Sequence, residues 1–334
     1  MKIAILALTS GGIKLAQKLA DKLNASVLPK KRGEKLSERL TLAWPKYDAF
    51  ICIMATGIVV RAIAPLLRDK AIDPCVLVMD EKGNNVISLL SGHLGGGNAL
   101  TLRTAKAIGG NPVITTASDT LKLTALDLWA HEMRLVPPPR PQLNALSARL
   151  VNEGTLRAWS DVEVAGMPSG LEIVKHIKDA DFLVSHRLYA VDLPQFYPQN
   201  VVIGTGCNRD TPAEEFETAL TEMLSGLGLA RQSIRNLASI DAKNNEIGLL
   251  HFAEKNRWPI DFFNRDAINT LKNLEISFAA MKAVGAIGVA EPACLLSAGS
   301  EVLLSRKRKW KNITMAAALA PFTLSVPAPE AKDA

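Results

Sequence analysis

A chain of 334 residues, 48% hydrophobic and 22% charged, has the composition of an ordinary globular protein and length for about two domains with their own cores, which excludes disorder, collagen and coiled coil. Aromatic residues make up 5%, so the cores are aliphatic, and without an apolar run of ~18 residues no membrane span is expected. The net charge of +6, from 39 basic and 33 acidic residues, suits acidic small molecules, while the absence of an RNP motif, basic-region heptads or an aromatic-interleaved basic stripe argues against a nucleic-acid partner.

Residues 2–8 form an apolar run too short for the core of a signal peptide, and they read as a first core strand. Residues 12–24 follow with Ile13, Leu15, Ala16, Leu19, Ala20 and Leu23 at helical spacing. A second apolar run over 49–54 leads through Thr56-Gly57 into a helix reaching residue 67. Runs over 75–79 and 86–90 flank Asp80-Glu81-Lys82-Gly83-Asn84, a hairpin-like turn. A glycine-opened helix over 95–108, a strand over 112–115 and a helix over 121–133 complete an alternating series, which predicts a mainly parallel, doubly wound sheet covered on both faces. Val136-Pro137-Pro138-Pro139-Arg140-Pro141 reads as a stiff linker that no helix crosses. Beyond it come a helix over 142–152 and short strands near 171–174, 182–185 and 188–191. A second alternating unit then runs strand 201–203, helix 212–226, strand 234–240, helix 246–256, strand 259–263, a helix to residue 298, and strands 301–305 and 312–318 around a basic turn. The expected fold is two α/β domains, over 1–136 and 201–321, joined by a linker and small middle segment over 137–200 and followed by a flexible tail over 322–334.

Four cysteines, Cys52, Cys75, Cys207 and Cys294, form no C-x-x-C pair, so neither a disulfide nor a zinc site is expected, and the usage fits a reducing, cytoplasmic compartment. Three loops read as strand end, glycine turn and helix start: Thr56-Gly57, Ser91-Gly92-His93-Leu94-Gly95-Gly96-Gly97-Asn98 and Gly204-Thr205-Gly206-Cys207-Asn208. Such loops gather at the carboxyl edge of an open α/β sheet, where backbone N–H groups attract anions. None matches a nucleotide fingerprint. In the second loop Ser91 and His93 can act as nucleophile and base, or His93 can activate water while the amides of Gly95, Gly96 and Gly97 hold an oxyanion, with Asp119 orienting the ring. The plainer alternative makes Ser91 a helix cap and His93 a packed polar residue. Arg61 stands one turn into its helix, near enough to face an anion at Gly57. Thr211-Pro212-Ala213-Glu214 reads as a capping box. Glu291, held at a turn by the following proline, is either a cap or a catalytic acid. Ser305-Arg306-Lys307-Arg308-Lys309 reads as an exposed turn with some capacity to grip carboxylates.

The blocks Gly57-Ile58-Val59-Val60-Arg61-Ala62-Ile63-Ala64-Pro65-Leu66-Leu67, Asp69-Lys70, Asp80-Glu81, Val86-Ile87-Ser88-Leu89-Leu90-Ser91-Gly92-His93-Leu94-Gly95-Gly96 and Pro112-Val113-Ile114-Thr115-Thr116 resemble the CbiG family, the cobalt-precorrin 5A hydrolases of anaerobic cobalamin biosynthesis. Gly204-Thr205-Gly206-Cys207, Ala238-Ser239-Ile240-Asp241, Gly248-Leu249-Leu250 and Glu291-Pro292-Ala293 are similar to its C-terminal domain, with Thr205 and Asn208 departing from the family's loop. The resemblance implies an anionic cobalt tetrapyrrole as substrate. Its δ-lactone is opened by water and its two-carbon fragment leaves as acetaldehyde; the substrate carries the cobalt and the protein needs no cofactor of its own. It further implies that the macrocycle lies between the two domains, with His93 as base, Ser91 beside it, Glu291 as proton donor and Arg61 as carboxylate clamp. Gly57, Gly92, Gly95, Gly96, Gly97, Asn98, Gly204, Gly206 and Cys207 would complete the binding surface. The alternatives are His93 as an axial cobalt ligand, and a non-catalytic carrier that passes intermediates between pathway enzymes.

Overall fold

The computed structural model describes residues 1–30, 33–69, 72–272 and 274–326. Lys70 of the sequence blocks and residues 327–334 of the expected tail fall outside them. The chain divides into two compact units, residues 1–129 with 150–154, and residues 130–149 with 155–334. Among the described residues no helix is long and apolar enough to cross a membrane.

The first unit runs β1 (Ile3–Ala7), α1 (Ser10–Leu23), β2 (Ser26–Val27), α2 (Leu36–Ala43), β3 (Ala49–Ile53), α3 (Thr56–Ile63), β4 (Cys75–Met79), β5 (Asn85–Leu90), α4 (Gly97–Ile108), β6 (Asn111–Val113), α5 (Ala117–Thr120) and α6 (Leu126–Glu132). Every residue of β1, β3 and β4 is buried, because helices cover both faces of the sheet. Ile3, Ile5 and Ala7 pack with Leu19 of α1 and Leu100 of α4, while Ala4 and Leu6 pack with Leu40 of α2 and Val59 of α3. The strand order is β2-β1-β3-β4-β5-β6, and all neighbours are parallel except β4 and β5. Their hairpin is fixed by the Asp80 carboxylate, which accepts N–H bonds from Lys82 (3.0 Å), Asn84 (3.2 Å) and Asn85 (2.8 Å). The doubly wound sheet is therefore mixed, and the hairpin reverses β5 and β6. Their carboxyl ends lie at the sheet edge opposite to those of β1, β3 and β4, about 16 Å away at 3.3 Å per residue.

Two local boundaries differ from the sequence reading. The helix expected from residue 95 starts at Gly97, because Gly96 takes the left-handed conformation, φ +73°, as its N-cap. The helix expected over 121–133 is α6 alone, over 126–132: residues 121–125 are not helical, Lys122 there adopting a positive φ of +55°, and α5 lies ahead of it over 117–120.

The second unit holds two sheets. The first contains β7 (Leu135–Val136), then after α7 (Arg140–Glu153) β8 (Leu156–Ser160), with β9 (Glu163–Val164) lying apart, and β10 (Leu171–Ile173), β11 (Phe182–Val184) and β12 (Gln195–Pro198), in the order β10-β8-β11-β12-β7. Helix α7 begins inside the expected linker, since Pro141 in a first turn forfeits only an N–H that has no helical acceptor. Residues 188–191, expected as a strand, form none: Leu188 and Val191 are exposed and the neighbouring contact is a single bridge from Arg187 to Leu229.

The second sheet is built from β13 (Val201–Cys207), α8 (Ala213–Leu227), β14 (Ile234–Ile240), α9 (Ile247–Asn256), β15 (Ile260–Phe263), α10 (Arg265–Asn269), α11 (Phe278–Val284), α12 (Ala290–Ala298), β16 (Leu303–Lys309) and β17 (Ile313–Leu319), in the strand order β15-β14-β13-β17-β16. Val201 and Ile203 pack with Phe216 and Leu220 of α8 and Phe252 of α9, while Val202 packs with Ala293 and Cys294 of α12 on the other face. Thr323–Leu324, within the expected flexible tail, forms β18, which pairs in parallel with β9, and Leu324 is fully buried.

Candidate active site

The loop after β5 carries most of the residues singled out in the first unit, and its backbone turns inward. Ser91 adopts φ +52°, and its Oγ donates to the Asp73 carbonyl at 3.0 Å rather than facing His93. The N–H of Gly96 bonds the His93 carbonyl (2.8 Å), that of Gly97 the Ser91 carbonyl (3.1 Å) and that of Asn98 the Gly92 carbonyl (2.9 Å). The glycines thus serve a compact turn, in which a Cβ at Gly95 would strike the Ser91 carbonyl. The expected oxyanion donors Gly96 and Gly97 are spent within the loop, and Ser91 is not set up as a nucleophile.

His93 is the centre of a polar cluster. Its Nε2 lies 3.0 Å from Asp119 Oδ2 and 3.2 Å from Ser118 Oγ, and its Nδ1 lies 3.5 Å from Asp127 Oδ1. Asn98, buried at the start of α4, donates to the same Asp119 oxygen (2.9 Å) and accepts from Ser88 Oγ (2.7 Å). Hydrogen bonding to Asp127, and after it to Asp119, raises the imidazole pKa above its ordinary value against the opposing effect of partial burial. The two carboxylates favour the protonated ring over the neutral one, and each ring nitrogen faces a carboxylate oxygen. A base or a cobalt ligand needs a free ring lone pair, so neither role fits the geometry as it stands. The side chain keeps 21% of its surface exposed, which leaves it accessible from solvent.

The α5 and α6 acids explain what sequence reading found and missed. Asp119 was legible as an acid after a strand. Asp127, in the first turn of α6, meets His93 only in the folded chain; its sequence signal is no more than an acid at a helix start.

Gly57 and Arg61 belong to the opposite sheet edge. Both are exposed, and Arg61 Nη1 donates to the Gly57 carbonyl of its own helix at 3.1 Å. A cavity of about 440 Å³ at that edge is lined by Met54, Ala55 and Thr56 together with the acids Asp80 and Glu81. An acid-lined edge is a poor match for a polyanion, and Arg61 cannot clamp a group held at His93.

In the second unit Gly204, Gly206 and Cys207 lie within β13 rather than in a loop. Gly204 permits close approach of α12, since a Cβ there would strike the Ala290 carbonyl. Thr211-Pro212-Ala213-Glu214 is not a capping box: Pro212 is itself the N-cap of α8 and Thr211 Oγ1 donates to the Asn208 carbonyl at 2.9 Å. Ser305–Lys309, expected as a turn, belongs to strand β16, and the turn follows at 310–312.

These elements meet at a cavity of about 500 Å³ lined by Gly206, Cys207 and Glu291, with Lys307 and Lys309 on the β16 side. Glu291 is 6% exposed, in the first turn of α12; its Oε1 accepts the Lys307 N–H at 2.9 Å and its Oε2 lies 3.7 Å from Lys307 Nζ. Both contacts use Glu291 as an acceptor, whereas the expected role was a proton donor. Burial pushes the Cys207 thiol up to about 11, so at neutral pH it is a thiol wall. Among the described residues no group of three or more His, Cys, Asp and Glu side chains is disposed to hold a metal ion.

Comparison with known proteins covers both units. Residues 38–119 match the cobalamin synthesis G N-terminal family and residues 201–318 the cobalamin synthesis G C-terminus family. A cobalt-precorrin-5A hydrolase from Priestia megaterium is 33% identical over 96% of this chain and 95% of its own. Another from Salmonella typhimurium is 35% identical over 94% and 96%. Protein CobE from a Sinorhizobium species is 34% identical over 37% of this chain and 82% of its own.

Proposed function

The chain belongs to the cobalt-precorrin-5A hydrolase family, and from that membership we propose that it opens the δ-lactone of cobalt-precorrin 5A with water and releases acetaldehyde during cobalamin biosynthesis. The observation that carries the chemistry is the imidazole of His93 between Asp119 and Asp127. Lactone hydrolysis adds water to the acyl carbon and breaks the acyl–oxygen bond, so a proton must leave the water and another must reach the departing alkoxide. A carboxylate beside an imidazolium supplies both: Asp119 or Asp127 accepts the proton of the attacking water, and His93 protonates the alkoxide.

The alcohol so formed is the one that becomes the aldehyde. His93, now neutral, takes back its hydroxyl proton; the oxygen forms the carbonyl of acetaldehyde, the carbon–carbon bond to the macrocycle breaks, and the bonding electrons pass to the ring, which takes up the proton that Asp119 or Asp127 received from the water, restoring all three side chains. His93 thus acts first as acid and then as base, a sequence consistent with an elevated pKa and inconsistent with a ring that begins as a neutral base. The test is turnover of His93→Gln. Loss of acetaldehyde release by a factor of ~10²–10⁴, with corrinoid binding intact, supports the assignment, and ordinary turnover removes His93 from the chemistry.

A further inference from the structure

We propose that the cavity of the second unit is a polycarboxylate-binding site, built from Arg209, Lys243, Lys307, Lys309 and Lys311, and that Glu246 and Glu291 are its positioning residues. The cavity holds these five cations against one lining carboxylate, Glu291. A run of charge on a surface is ordinarily a solvated face, and two observations set this one apart. The first is alternation along β16: Lys307 and Lys309 line the cavity, while Arg306 pairs with Glu275 at 3.7 Å and the Arg308 guanidinium lies against Gly226.

The second is burial. The side chains of Lys243 and Lys307 are only 13% and 21% exposed, a costly place for an ammonium group without a partner. Buried carboxylates supply those partners. Glu246, 4% exposed, accepts from Lys243 Nζ at 3.2 Å and from the Asp210 N–H at 3.1 Å, and lies 3.0 Å from Arg209 Nη1. One anion holding two cations leaves positive charge over for a ligand and fixes its direction beforehand. Across the cavity, Ala279, Ala280, Ala283 and Val284 present small apolar groups. Cations facing a smooth apolar wall suit a ligand that is apolar in the plane and anionic at its rim. That the natural ligand is the cobalt tetrapyrrole rests on the hydrolase reading; that the site takes a polycarboxylate does not.

The probe is uroporphyrin, a tetrapyrrole with eight carboxylates, titrated into the full chain at low salt, with a tetracationic porphyrin of the same ring size as control. Lys309→Glu combined with Lys311→Glu changes two exposed residues, and the single Lys311→Ala serves if the pair impairs folding. Expected are binding of the octacarboxylate but not of the tetracation, and Kd raised about tenfold or more by the double change. Weakening with added salt should also be shallower in the variant. In turnover the variant should raise KM with kcat little changed. Equal binding of both porphyrins, or a folded variant that binds and turns over as the parent does, overturns the proposal. Acetaldehyde release with an unaltered KM would leave the hydrolase reading standing and sink this site. Cation-dependent porphyrin binding without acetaldehyde release would do the reverse.

Discussion

At His93 the outcome turns on two carboxylates, Asp119, which the sequence offered as a partner of the ring, and Asp127, which it did not. Because they raise the folded-state pKa above the unfolded value, the stabilisation they confer is fully present below the unfolded pKa of about 6.5 and is lost as pH rises through the folded value. The stability gap between the parent chain and His93→Gln should therefore be larger at pH 5.5 than at pH 9, as read by urea denaturation; a gap that widens towards alkaline pH would contradict the pairing. Asp127→Asn and Asp119→Asn should each lower the imidazole pKa, read by NMR titration, and move the alkaline limb of turnover to lower pH. Cys207 makes the opposite case. With its thiol pushed up to about 11 it is no nucleophile at neutral pH. Cys207→Ser should keep kcat within about twofold, and iodoacetamide should alkylate the parent more slowly than a free cysteine.

At the scale of elements, the hairpin between β4 and β5 decides which loops can cooperate. The turn at Asp80 was legible, and with it the antiparallel pair; what remained was to carry the reversal through to β5's far end, which places the Ser91 loop away from Gly57 and Arg61. The C-terminal glycines misled for a physical reason. Glycine marks turns, but in β13 it marks the close approach of a helix, which no local pattern reveals. Gly204→Ala should accordingly destabilise the chain by about 1–3 kcal/mol in urea denaturation, since α12 must move to admit a methyl group. The basic run 305–309 hid its strand in the same way: with four like charges in a row, the period of two appears only in the partners each side chain meets. Short helices such as α5, and α2, whose buried face includes Arg39, gave too little apolar periodicity to be read.

For the whole molecule, the alternation of strand and helix at both ends of the sequence was legible because buried parallel strands leave continuous apolar runs. The middle sheet was partly legible, its strands β8 and β12 being short and mixed with polar residues. What composition could not give is where charge concentrates: a net charge of +6 is modest, yet five cations face one cavity of the second unit while the first unit's carboxyl edge carries acids. The two proposals divide along the same line, proton transfer at His93 in the first unit and anion recognition at the basic cavity of the second. The most direct measurement is to incubate the purified chain with cobalt-precorrin 5A and follow acetaldehyde and corrinoid mass together. Expected is one acetaldehyde per corrinoid consumed, with the mass falling by acetaldehyde less one water. A corrinoid that is bound but keeps its lactone, with no acetaldehyde formed, would contradict the hydrolase and leave a carrier.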